Sequence, residues 1–175
     1  MRVADVLIDA YGRVHEEVGR VLDGLDDEAL GARVDPDANS IAWLVWHLTR
    51  VQDDHLADAF GVDQVWTAQG WADRFALPFP VTEHGYGHTS EQVGALSGIS
   101  GELLRGYHEA TWQQTTELLR PVTDADLDRI VDVRWTPHVT LGVRLVSVIA
   151  DDLQHVGQAA YVRGLLERGA YGAHT

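Results

Sequence analysis

The chain has no cysteine. That excludes disulfides, thiolate metal ligands and a cysteine nucleophile, so any metal site must be built from nitrogen and oxygen. Lysine is absent as well, and every basic residue is arginine. Lysine codons are AT-rich, so this absence points to a high-GC genome and says nothing about mechanism. Proline is scarce, at five residues, and there is no long polar run, which argues against disorder. No apolar stretch is long enough to span a membrane. The opening MRVADVLIDAYGRVHEE lacks the unbroken apolar block of a signal peptide, so a cytoplasmic protein is expected. Positive charge is also short: 13 basic residues face 27 acidic ones, a net charge of -14. Such a surface repels phosphate backbones and anionic membranes, which makes nucleic acid and lipid poor partners.

What is present reads as one helical domain over residues 1–175, with a 45% hydrophobic fraction to supply its core. Apolar residues recur at helical period from Arg2 to about Leu25, with a turn and a short helical piece over Asp27–Leu30. A second helix opens at Asn39 or Ser40 and stops at Gly61. Residues 61–90 are rich in glycine, proline and aromatics, with a helical turn at Trp71–Phe75. So long a connection is expected to act as a lid or pocket wall. A third helix spans Ser90 to Leu119 with a break near Gly98–Gly101. A connection over 121–139 carries a short helix at Asp124–Ile130 and an extended piece at Val131–Trp135. The fourth helix runs from Thr140 to about Glu167. The expected fold is all-α: an antiparallel four-helix bundle with long connections between its second and third and its third and fourth helices. Most of the six tryptophans are expected to pack in the core and under the loops.

Asp151 and His155 lie four apart on the last helix, so their side chains share a face and can converge on one ion. The spacing alone also fits an ion pair on a solvated face. His47 sits mid-helix in SIAWLVWHLTR. Taken singly, it fits a satisfied core histidine. Taken with an Asp-x-x-x-His helix elsewhere in a bundle, it fits a third ligand, because bundle cores build metal sites from facing helices. Asp54, seven residues on, is a candidate acceptor for a ligand imidazole or a surface carboxylate, and His55 a weaker candidate ligand. His84 and His88, in EHGYGH, can approach the open side of an ion from the long connection or sit on a surface loop. Gln158 and Arg163 are candidates for substrate contact.

The segments NSIAWLVWHLTRVQDDHL and LVSVIADDLQHVGQAAYVRGLL resemble the second and fourth helices of the DinB-like superfamily. That group includes the N-terminal domains of mycothiol-dependent maleylpyruvate isomerases and related thiol S-transferases. The resemblance runs from Arg2 to about Gly169 and implies a bundle holding a divalent metal on one histidine of helix two and two ligands of helix four. It assigns those roles to His47, Asp151 and His155. Asp151 departs from the pattern, which has histidine or glutamate there. Zinc is the expected ion, with nickel, manganese and iron(II) as other ions for such a set. Three protein ligands leave a coordination position open, which is the mark of a catalytic site. The implied activity is a detoxifying thiol S-transferase that activates a low-molecular-weight thiol, mycothiol, for attack on an electrophile. The alternatives are metal-assisted hydrolysis and a non-catalytic metal-binding protein. The expected partners are small molecules, and the chain a monomer or homodimer.

Overall fold

The apolar periodicities become helices in the computed structural model, which describes residues 1–169. In chain order these are α1 (Val3–Leu22), α2 (Asp27–Gly31), α3 (Ile41–Phe60), α4 (Val65–Ala68), α5 (Trp71–Phe75), α6 (Ser90–Gly94), α7 (Gly101–Leu119) and α8 (Leu141–Glu167). A 3-10 turn at Asp124–Asp128 leads into a small antiparallel pair, β1 (Ile130–Asp132) and β2 (Val139–Thr140). The described residues are thus mostly helical.

Three long helices start on hydroxyl caps. Ser40 accepts from Trp43 N–H, Ser100 from Leu103 N–H and Thr140 from Val143 N–H. Each cap satisfies an amide that the first helical turn leaves unpaired. α3 stops where Gly61 turns left-handed at φ 67°. The expected third helix is in fact two, α6 and α7, because Gly98 at φ 82° reverses the chain and Ser100 starts a fresh cap. The 61–90 connection is more ordered than its composition suggests. Its Val65, Trp66, Trp71 and Phe75 belong to the apolar core. Trp135 is the exception among the tryptophans, at 65% exposed.

α1 and α3 each pack against both α7 and α8. Their buried side chains form two apolar clusters. One gathers Val14 and Val18 of α1, Ile41–Leu48 of α3, Leu104 and Tyr107 of α7, and Val156, Ala159 and Val162 of α8. The other gathers Leu7 and Tyr11, Leu56 and Ala59, Leu119, and Leu141, Leu145 and Val148. α3 and α7 therefore pass from the first cluster to the second, and α1 and α8 pass the other way. The uniformly antiparallel order expected from the sequence gives way to parallel α1–α8 and α3–α7 contacts. The long stretch from 61 to 100 makes this workable, since parallel neighbours need a connection that carries the chain back to its starting end.

Between the two clusters lies a belt of buried polar side chains: Thr49, Gln52 and Asp53 on α3, His108 and Thr115 on α7, and Asp152 on α8. Gln52 Nε2 donates to Thr115 Oγ1 at 2.7 Å, and His108 Nδ1 lies 3.0 Å from Thr49 Oγ1. His47 and the Asp151/His155 pair stand at the same level, where α3 meets α8.

Candidate metal centre

His47 projects from an α3 segment that is buried on every side, from Ile41 to Asp53. Asp151 and His155 come from α8, one turn apart. One ligand atom from each of the three lies within 4.8 Å of the others. Asp151 Oδ1 stands 3.5 Å from His155 Nε2, too long for a strong charge-assisted hydrogen bond. Two ligands of one tetrahedral ion at about 2.1 Å would be about 3.4 Å apart, which matches that gap. The His47 and His155 rings meet edge to face with centroids 4.7 Å apart, and Trp43 stacks flat on His47 at 4.6 Å.

The hydrogen bonds select the tautomers. His47 Nδ1 contacts the His84 carbonyl oxygen, and His155 Nδ1 lies 3.0 Å from Gln158 Oε1. A carbonyl or amide oxygen can only accept, so both Nδ1 atoms carry the proton. Each neutral imidazole then has its Nε2 lone pair free, as a metal ligand with its other N–H bonded to an oxygen requires. Asp151 Oδ2 is buried and has no hydrogen-bond partner among the described residues. A carboxylate oxygen left so is costly unless a cation covers it. The three side chains therefore fit a divalent ion.

Titration follows the same geometry. Burial lowers the His47 pKa to about 4, against the opposing pull of the His84 carbonyl. The neighbouring Asp151 carboxylate raises His155. Burial pushes Asp151 up, but His155 outweighs it and leaves the carboxyl below its usual value. Acid alone therefore makes His155 the first of the three to take a proton.

The remaining candidates fall around this centre in ways the sequence did not specify. His84 contributes its backbone carbonyl; its ring lies 6.1 Å from that of His55. His88 is not one of the converging ligands, and its Nε2 lies 3.6 Å from Glu83 Oε2. Its Nδ1 accepts from Trp43 Nε1, and its ring packs among Trp46 and Phe79. Asp54 is not an acceptor for a ligand imidazole: it accepts from Gln64 Nε2 at 2.8 Å and pairs with His55 at 3.2 Å. Gln64 comes from the segment after Gly61 and takes the carboxylate away from the α3–α8 seam. Gln158 orients His155. Arg163 caps the end of α1 through the carbonyls of Arg20, Val21 and Asp23.

Sequence reasoning missed the support under the 81–88 strap. Arg50, fully buried, donates to the Glu83 carbonyl and to Gln64 and Tyr107, and pairs with Asp53 at 3.7 Å. His47 and Arg50, three apart on α3, thus hold the consecutive carbonyls of Glu83 and His84. An arginine and an aspartate three apart inside an apolar helix were the available signal. Two cavities open beside α3 and α8. One of about 450 Å³ is lined by Asp54, His55 and Arg134 among others. The other, about 610 Å³, runs along Gln154, Gln158 and Tyr161. No helix of the described residues is long and apolar enough to cross a membrane.

A family model described as mycothiol-S-transferase matches residues 7–168. The crystal structure of a conserved protein from Enterococcus faecalis is also similar. It shares 32% sequence identity, over 94% of this chain and 97% of that one, with a TM-score of 0.87. No curated protein matches.

Proposed function

Because the chain belongs to the mycothiol-S-transferase family, which is DinB-like, we propose that it joins an intact low-molecular-weight thiol, mycothiol, through its sulfur to an electrophilic small molecule with the help of a divalent ion, zinc. The observation that carries this reading is the convergence of ligand atoms of His47, Asp151 and His155 within 4.8 Å of one another, with the second carboxylate oxygen of Asp151 buried and unpartnered among the described residues. The same reading takes residues 1–175 as one cytoplasmic metal-binding domain and its four long helices as a bundle with α3 and α8 as the metal-bearing pair.

A divalent ion held there supplies the Lewis acidity that favours the thiolate of a coordinating thiol, the nucleophilic form. The chain's own residues do the rest. His84 and Gln158 hold the Nδ1 protons of the two ligand imidazoles and so aim their Nε2 atoms inward. Asp151 contributes the negative charge that offsets the cation, and Trp43 closes the floor beneath His47 against water. With no cysteine in the chain, the nucleophile has to come from the co-substrate.

The test combines elemental analysis of the purified chain with consumption of a bimane or dinitrobenzene electrophile in the presence of mycothiol. The expected result is one metal per chain and thiol-dependent turnover, with both lost in His155→Ala. Turnover that persists in that variant removes the metal-dependent reading. Hydrolysis of the electrophile without thiol replaces it with metal-assisted hydrolysis.

A further inference from the structure

Joining a thiol to an electrophile leaves a proton to be placed. The sulfur loses it as the thiolate forms, and it must be carried away before the next turnover. His47, Asp151 and His155 are committed to the ion. His55 stands beside them, two turns past His47 on α3 and partly exposed. With Asp54, Gln64 and Arg134 it lines the cavity of about 450 Å³. Its ring lies 6.1 Å from the ring of His84, whose carbonyl holds His47 Nδ1. Its charge also reaches Asp151, whose carboxyl it helps to lower.

The ring is held the way a proton carrier has to be. Its Nδ1 stands 3.2 Å from Asp54 Oδ2, while Asp54 Oδ1 accepts from Gln64 Nε2 at 2.8 Å. The contact with His55 keeps the Asp54 carboxyl below its usual pKa, so Asp54 is charged at neutral pH. A carboxylate only accepts. In the neutral ring the proton therefore stays on Nδ1 and the lone pair falls on Nε2.

We propose that His55 is the base that takes the thiol proton and releases it with the leaving group. This rests on the thiol-transfer reading. The S–H bond breaks with its electron pair left on sulfur, and the proton passes to His55 Nε2, directly or through one water. The sulfur–carbon bond forms as the bond from carbon to the leaving group breaks. The leaving group departs with that electron pair, and the proton leaves Nε2 with it. Thiol and electrophile thus become thioether and protonated leaving group, with no oxidant or reductant. Asp54 stabilises the imidazolium that exists in between. The other charged and titratable groups that share the cavity or act on the ring are Asp58 and Asp63, His84 on the strap, Asp151 on α8 and Arg134 after β1.

The test uses the full chain loaded with zinc, and its first part needs no turnover. With mycothiol and no electrophile, ring-nitrogen NMR is expected to show His55 passing from the neutral to the imidazolium form as the thiol saturates the chain; the signal is assigned by its loss in His55→Gln. A His55 ring unchanged at saturation overturns the proposal. The second part is kinetic. His55→Gln is expected to keep one metal per chain and a KM for thiol within about threefold of wild type, and to lose about 100-fold or more in kcat. His55→Ala is expected to lose as much and to regain part of it when imidazole is added to the buffer, a recovery that a merely structural defect does not allow. Wild-type turnover matched by His55→Gln, loss of metal in that variant, or no recovery of His55→Ala with imidazole overturns the assignment of His55 and leaves thiol transfer standing. A wild type without thiol-dependent turnover removes thiol transfer, and this base with it.

Discussion

A metal ligand is only half specified by its residue type; the other half is the group that holds its far nitrogen. His155 has Gln158 for this, one turn further along α8. Removing that acceptor leaves the ring free to rotate and to place its proton on Nε2, where the lone pair is needed. Gln158→Ala is therefore expected to weaken metal binding about 10–100-fold, as loss of such partners does elsewhere. Competition with a chelator of known affinity measures it; binding equal to wild type would show that Gln158 does not orient the ligand. Spacing put Asp151 and His155 on one face, but it was the resemblance that joined them to His47 as a ligand set. The second set of contacts was less visible. The acceptor for His47 is the His84 carbonyl, and a backbone carbonyl has no residue identity to read. Asp54 was a candidate acceptor, or a surface carboxylate, because seven residues return to nearly the same helix face. It is drawn off instead by Gln64, from a segment whose path composition alone does not fix.

The strap over residues 81–88 acts as an element although it has no regular structure. Trp66 holds the Val81 carbonyl, Arg50 that of Glu83, His47 that of His84, and Trp43 the ring of His88. Gly85 follows at φ 102°, and a Cβ there would stand 2.5 Å from His47 Nδ1 and 3.0 Å from Trp43. Only glycine permits both the backbone angle and the approach. Gly85→Ala is expected to lower stability by about 1–3 kcal/mol and, by displacing the His47 ring, to reduce the metal retained through purification. Gly87→Ala is the control: φ is 73°, but a Cβ there meets nothing within 4 Å. It should cost only the left-handed backbone penalty of about 1 kcal/mol and keep its metal. Melting curves and elemental analysis of the two variants separate the effects; equal metal content would mean the ring is not held by the strap. The glycines and aromatics of 61–90 signalled a functional connection. α4 and α5 within it are too short to show a period, so only packing reveals that they belong to the core.

Across the whole molecule, the two apolar clusters are separated by a polar belt that is poorly legible in the sequence. Thr49, Gln52, His108 and Thr115 each read singly as solvent-facing positions on amphipathic helices; their burial follows from four helices bringing them to one level. The belt has a consequence for acid stability. His108 is 2% exposed and stacks on His15 with centroids 5.4 Å apart. Thr49 Oγ1 donates to the Val45 carbonyl and so accepts from His108 Nδ1, while His108 Nε2 is buried with no partner among the described residues to stabilise a second proton. Burial first, and the neighbouring His15 second, lower its pKa from 6.5 to about 3. Between those values the unfolded chain binds a proton there and the folded chain does not. The unfolded state therefore holds more protons in this window, and stability rises with pH across it and falls as the solution is acidified from 6.5 toward 3. The slope from one such group is at most about 1.4 kcal/mol per pH unit. His47, lowered in the same direction, adds to it, so the His108 share is isolated by substitution. His108→Gln keeps an N–H donor for Thr49 but cannot titrate. With chelator present, so that metal release does not enter, urea unfolding midpoints of wild type should decline more steeply than those of His108→Gln over this range. Parallel declines would mean that His108 gains its proton in the folded chain at an ordinary pH, and that the belt is open to water.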